Sequence, residues 1–333
     1  MADRMSHGTA LVRHLVLIIL DTALTCRNCF FHGTGRTWRS TRLVFLFTFS
    51  RGIICSRTSQ QVLYSHIVAA VNEFPAGATR NRYAQAALSW RHPYWDWAAQ
   101  PPDGTSVMPS SMTSRTVSVI MPNGTTEIPN PLYAYRFHPV SMGDFYYQPV
   151  SIESSHVFCY SYTKANCRTQ WGYWNTSLRA PNTNFADAFS QDSAIGPILD
   201  NSRISFRDRL YNLFTFYGNY SEFSTESYNF GGEFKNADSL ESIHDVIHGA
   251  TGSGGHMTYL DYSAYDPIFW LHHMMVDRSF ALWQAVYPDS YVEPNIAWQG
   301  SYTIPERARI DMDTRRSLSL QNVFFHRKNT NTS

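Results

Sequence analysis

The sequence predicts a mainly α-helical fold: an antiparallel helix bundle with long irregular loops and few short strands. Three observations carry this. Apolar residues return at helical spacing in segments near 61–72, 239–248 and 266–286. Residues 100–153 are rich in Pro, Ser, Thr and Gly, which marks loops with short extended pieces. Histidines fall within all three helical segments, and a ligand shared between the last two requires facing helices with side chains directed inward.

The elements follow in order. Gln61 to Asn72 (QVLYSHIVAAVN) places Val62, Leu63, Ile67, Val68 and Val71 at helical intervals. Arg80 to Trp90 predicts a second helix, stopped before Pro93. Phe206 to Phe216, Ser239 to His248 and Asp266 to Val286 predict three more. Gly249 is the expected end of the fourth, because glycine readily leaves the helical conformation. No internal repeat and no Gly/Ser linker breaks the chain.

Composition narrows the function. The formal charge of +1 and the lack of a basic block argue against a nucleic-acid partner. Five cysteines, an odd number, do not form a disulfide framework. Aromatic residues make up 15% of the chain, which suits either a pocket for planar ligands or dense core packing. Leu11 to Leu24 resembles a signal anchor at first, but it is short for a membrane span and is interrupted by Arg13, His14 and Asp21. No membrane partner is expected. Asn123, Asn175, Asn219 and Asn331 begin N-glycosylation sequons. Without a credible signal peptide, a cytoplasmic location is favoured over secretion.

The chemistry sits in two segments. In SLESIHDVIHGATGSGGH, His244 and His248 are four residues apart and share one helix face, so both can reach one metal ion. A third donor is available in DPIFWLHHMMVDR, at His272 or His273. Imidazoles without a paired thiolate or carboxylate suit copper or zinc. The glutamate of the HExxH zinc hydrolases is absent.

Joined together, HDVIH, a Gly-rich turn and DPIFWLHHMMVDRSFALWQAVYP resemble the second-copper half of the tyrosinase and catechol oxidase family. The resemblance runs from about Gln61 to Val292 and points to fungal-type members. It implies a helix bundle holding a dicopper site. It implies His244, His248 and His273 as ligands of one copper. His272 then becomes a close neighbour, and Asp245 and Gly249 flank the substrate entrance. Asp277 and Arg278 match the family's VDR, expected to anchor the helix through an ion pair. His256 and the PYWDW run (Pro93 to Trp97) also match family signatures and are expected to serve as scaffold. The implied substrates are a small phenol and O2. The implied reactions are ortho-hydroxylation of monophenols and oxidation of o-diphenols to o-quinones. Asp245 stands where the family often carries Asn, which leaves diphenol oxidation alone as an alternative. Reversible O2 binding, as in the related haemocyanins, is a further alternative.

The family's other copper site requires a CTH segment and a WHRPY segment leading into a helix like QVLYSH. Neither segment is present in frame. The genetic code permits both in the shifted frame. Combining each codon's third base with the next two, Asp21 to Thr25 permit YCTH, and Asn28 to Arg42 permit LFLPWHRPYLALYE. Residues 43–60 fit a retained intron, with a GT permitted across Arg42 and Leu43 and an AG permitted at the end of Gln60. Its removal joins the shifted frame to Gln61 as LALYEQVLYSH. Residues 1–60 are therefore expected to be non-native translated sequence, 61–300 the copper-binding domain, and 301–333 a truncated C-terminal extension. As written, the chain is expected to hold at most one copper ion, which makes an inactive single-copper or metal-free protein the competing reading.

Overall fold

The computed structural model describes residues 60–137, 174–183, 187–226, 238–259, 263–290, 293–296 and 309–310. The shifted-frame segment, the retained-intron segment up to residue 59 and Leu11 to Leu24 lie outside these, as do His7, His14, His32 and most of the C-terminal extension. Among the described residues, no helix is long and apolar enough to cross a membrane.

Helix α1 spans 60–72 and α2 spans Ala78–Leu88. On α1, Leu63, Ile67 and Val71 are spaced by four and lie on one buried stripe, while Val68 faces outward at 38% exposure. Tyr83 and Ala87 give α2 the matching face, and both helices close on Trp270. Each buried Leu or Ile contributes about 1.5–3 kcal/mol by leaving water.

The Pro- and Ser-rich stretch holds one turn of helix (α3, Ser110–Thr113) and an antiparallel hairpin of β1 (Thr116–Met121) and β2 (Gly124–Pro129). Gly124 follows the tight turn with φ +122°, a conformation that side chains with a Cβ rarely adopt.

Helix α4 runs from Asp192 to Phe216 and begins fourteen residues before the predicted start at Phe206. Pro197 lies inside it and disguises that start, because proline removes one helical N–H donor. Tertiary contacts hold the early turns. Ile195 and Leu199 are fully buried, and Asp200 accepts hydrogen bonds from Val107 N (2.7 Å) and Ser106 Oγ (3.1 Å). A short helix α5 follows at Tyr220–Ser224.

Helix α6 spans Leu240–Gly252 and is capped at its start by Ser239, whose hydroxyl accepts from Ser242 N at 3.0 Å. It continues past Gly249, contrary to the expected stop there. Thr251, two residues later, is buried, and Gly252 lies against Thr258 so closely that a Cβ could not fit. The helix ends where packing ends it, at Ser253 in the left-handed conformation (φ 42°).

Helix α7 spans Pro267–Val286, with Pro267 in its first turn and Asp266 as the cap. Helices α4, α6 and α7 enclose the main core, which also takes in Trp95 and Trp97 of the PYWDW run. A minimal pair of strands, β3 (Asn295–Ile296) and β4 (Arg309–Ile310), closes the described chain. The helical bundle with few short strands is the fold class the sequence predicts.

Candidate metal centre

Two helices bring the histidines together. On α6, His244 and His248 present one face; from α7, His273 enters between them. The Nε2 atom of His273 lies 3.2 Å from Nε2 of His244 and 3.2 Å from Nε2 of His248. Nitrogens bound at about 2.0–2.1 Å to one tetrahedral ion stand about 3.3 Å apart, so the spacing fits a shared metal.

The opposite ring nitrogens are held in place. Nδ1 of His248 is 2.7 Å from the carbonyl of Met257, and Nδ1 of His244 is 2.9 Å from Asp245 Oδ1. Both partners accept, so each Nδ1 carries the proton and each Nε2 keeps its lone pair. The Nε2 lone pairs of His244 and His248 both face Nε2 of His273, and a positive centre between the three nitrogens would satisfy them together. Phe269 stacks on the His273 ring (centroids 3.9 Å, 28°) and fixes its plane.

Burial sets the protonation. His244 and His248 are 2% and 6% exposed. Desolvation holds the His244 and His273 imidazoles well below the usual histidine range, and neighbouring imidazoles add to the effect. The shift at His248 is in the same direction and is also led by desolvation. Neutral imidazoles are the metal-binding form.

His272 also belongs to the group. One ligand atom from each of His244, His248, His272 and His273 lies within 4.8 Å of the others. The 3.2 Å approaches to His244 and His248 are made by His273, and the His272 ring stands beside them with centroids 4.9 Å from both. Among the described residues, the cluster is the one group of three or more His, Cys, Asp or Glu able to hold a metal. Asp245, 51% exposed, stands at the solvent side of the cluster, and an added Cβ at Gly249 would meet open space.

The expected scaffold motifs surround the site. Trp95 donates its backbone N–H to the carbonyl of Leu271 (3.0 Å) and its indole N–H to Val107 (2.8 Å). Trp97 is fully buried against Phe206. Arg278 lies 4.8 Å over the Tyr94 ring, with Asp96 at 3.9 Å. The VDR motif thus anchors α7 onto the PYWDW run. His256 is buried, accepts a hydrogen bond on Nδ1 from Leu178 N and packs between Phe137 and Trp174.

Two supporting residues were not legible in the sequence. Arg179 is buried and grips Asp266 with both arms: Nε to Oδ2 at 2.8 Å and Nη2 to Oδ1 at 2.6 Å. Its remaining donors go to the carbonyls of Met112 and Leu132. Asp266 in turn accepts from Ile268 N and caps α7, so Arg179 fixes the helix that carries His272 and His273. Glu241 is buried one turn before His244 and accepts from Thr225 Oγ1 (2.7 Å) and Glu226 N (2.8 Å). Burial pushes its carboxyl up to about 8. A lone SLRAP arginine or a first-turn glutamate signals neither role.

A helical bundle with imidazoles from two facing helices on one point defines a metal-binding α domain. The family profile described as the common central domain of tyrosinase matches residues 66–286. The chain belongs to the tyrosinase family. It is 37% identical to a tyrosinase of Podospora anserina over 261 residues, which is 77% of this chain and 41% of that protein. A tyrosinase of Neurospora crassa is 36% identical over 74% of this chain and 33% of its own length. The chain thus spans well under half the length of these relatives. A solved mushroom tyrosinase in its latent and active forms superposes with a TM-score of 0.67 at 26% identity, covering 92% of this chain and 77% of that one.

Proposed function

We propose that this domain serves the copper-dependent oxidation of phenols by O2, either ortho-hydroxylating monophenols or oxidising o-diphenols to o-quinones. The observation that carries the reading is the convergence of the Nε2 atoms of His244, His248 and His273, with pairs 3.2 Å apart, in a chain of the tyrosinase family. The donor set fits copper: neutral imidazoles, buried or, at His273, half-buried, with no competing carboxylate or thiolate in the group. His244, His248 and His273 would hold the ion. Copper bound there would supply O2 activation and accept electrons from the phenol.

The remaining work falls to the protein. Asp245 and the Met257 carbonyl keep the Nδ1 protons of His244 and His248, which aims both Nε2 lone pairs at one point. Phe269 holds the His273 ring against rotation. Arg179 and Asp266 fix the start of α7, so the ligands do not drift when the phenol enters. Two o-diphenols, each losing two electrons and two protons, leave as o-quinones, and one O2 takes up the four electrons and four protons to become two waters. Such quinones polymerise, which makes melanin formation the finer expectation.

We further propose that the ligands of the second copper are encoded in the shifted frame of residues 21–42, and that the chain as written binds at most one copper. Support comes from the permitted YCTH and LFLPWHRPYLALYE readings and from the single histidine group among the described residues. Two recombinant proteins loaded with copper test this: the 333-residue chain, and a version with the reconstructed region joined to Gln61. The reconstructed protein is expected to bind two coppers per chain and turn over a catechol, and the 333-residue chain to bind one at most with little turnover. Equal turnover, or two coppers in the 333-residue chain, refutes the splicing reading. Absence of turnover in a reconstructed protein that holds two coppers refutes the oxidase reading.

A further inference from the structure

The hairpin of β1 and β2 carries at its tip the one Asn-Gly step of the chain, Asn123–Gly124. Such a step is chemically labile wherever its backbone is free to bend. The backbone nitrogen that follows an asparagine can attack the side-chain Cγ. A glycine in that place has no Cβ to shield the nitrogen or to restrict its approach.

The tip leaves the path open. The ladder pairs Met121 with Gly124, so Pro122 and Asn123 make a two-residue turn and Met121–Gly124 is the last rung before it. Pro122 is held at a φ of about −65°, which denies the first turn position the left-handed conformation that tight hairpins favour. The reversal falls instead on Gly124, at φ +122°. Asn123, Gly124 and Thr125 are exposed, and a Cβ placed on Gly124 would meet no atom within 4 Å. The Asn123 carboxamide and water both reach the Gly124 nitrogen from open solvent.

Other asparagines are held. Asn130 is buried, and its carboxamide donates to the carbonyls of Ser111 (2.8 Å) and Ser114 (2.7 Å) and accepts from Leu132 N (3.0 Å). Asn201 begins the one Asn-Ser step, the next least hindered, but both residues lie inside α4. Helical backbone keeps the Ser202 nitrogen turned from Asn201 Cγ and engaged in the helix.

We propose that Asn123 is a site of spontaneous deamidation, in which the Gly124 backbone nitrogen closes on Asn123 Cγ. The N–Cγ bond forms, the Cγ–Nδ2 bond breaks, and the amide proton of Gly124 leaves with Nδ2 as ammonia. Water then opens the cyclic imide. Attack at the side-chain carbonyl gives aspartate; attack at the main-chain carbonyl gives isoaspartate, whose backbone runs through Cβ. Nothing is oxidised or reduced, and water is the only co-reactant. Either product puts a new negative charge on the tip and abolishes the N-glycosylation sequon that begins at Asn123. Isoaspartate also adds a methylene to the turn. It loosens the end of a hairpin whose Val119 is fully buried and whose Ile120 packs on the cluster formed by α1 and α2. The inference does not rest on the phenol oxidase reading.

The test keeps the full 333-residue chain folded in warm, mildly alkaline buffer, with samples digested and read by peptide mass spectrometry. The Asn123 peptide is expected to gain the mass of an amide-to-acid exchange and to become a substrate for isoaspartyl methyltransferase. Its conversion is expected to run at least about tenfold faster than that of the Asn201 peptide, which the helix protects. Asn123→Gln carries a longer side chain that closes the ring poorly, and it is expected to abolish the mass gain. An Asn123 that stays amidated in the folded chain overturns the proposal, as does conversion no faster than at Asn201. A mass gain that persists in the Asn123→Gln peptide overturns it as well.

Discussion

Replacing Arg179 by Met should destabilise the domain through the start of α7, not through the metal ligands themselves. The guanidinium is 1% exposed and gives two hydrogen bonds to Asp266 and two to backbone carbonyls. Arg179→Met leaves the Asp266 carboxylate, itself fully buried, with only the Ile268 N–H at 3.1 Å. Breaking a buried pair by removing one partner costs about 3–5 kcal/mol, because the other charge stays behind without its counterpart. At about 2–4 °C per kcal/mol for a domain of this size, the melting temperature should fall by roughly 6–20 °C. Urea melts of the wild type, Arg179→Met, Asp266→Asn and the double variant supply a full cycle. The double variant should cost less than the sum of the singles by about 1–3 kcal/mol, because the second change removes the stranded charge left by the first. Zinc affinity should fall alongside stability, since His273 lies two turns from the cap. A loss below about 1 kcal/mol for Arg179→Met, or additive singles, would refute the argument that the pair fixes α7.

Other outcomes follow from the same geometry. Asp245→Ala removes the acceptor on His244 Nδ1 and should lower zinc or copper affinity about 10–100-fold with little change in melting temperature; equal affinity would show that Asp245 does not orient the ring. Glu241 titrates near 8 in the fold against 4.5 for the free side chain, so the folded state binds the extra proton. Its contribution is fully present below about 4.5 and is lost as pH rises towards 8, a loss of a few kcal/mol. Glu241→Gln keeps an acceptor for Thr225 and Glu226 and should flatten that decline, so thermal melts from pH 5 to 9 that fall equally in both proteins would discount Glu241 as its source.

Much of the site was legible because its spacing is local. Helical periodicity places His244 and His248 on one face, and the DPIFWLHHMMVDR segment supplies donors on a second helix. The stripe of Leu63, Ile67 and Val71 followed from the same rule. The misjudged boundaries have tertiary causes. The first turns of α4 tolerate Pro197 because Ile195 and Leu199 are buried and Asp200 is tied to the 106–107 loop. Helix α6 passes Gly249 because Thr251 and Gly252 pack beyond it. Periodicity reports which face of a helix is apolar and says nothing of what that face will meet.

By itself the sequence determined the helical class, the histidine segments and the resemblance to tyrosinases, because these depend on residues within a few turns of one another. The tertiary structure alone decided which nitrogens meet. Nε2 of His244 and His273 touch across 29 residues, and Arg179 caps α7 through Asp266 across 87. It also decided that His272 is stranded without partners and that Glu241 is buried deeply enough to hold its proton. Both effects come from the exclusion of water. Desolvation raises the cost of each unpaired polar atom and each charge, and no residue's identity or spacing states how much water the finished fold will leave around it.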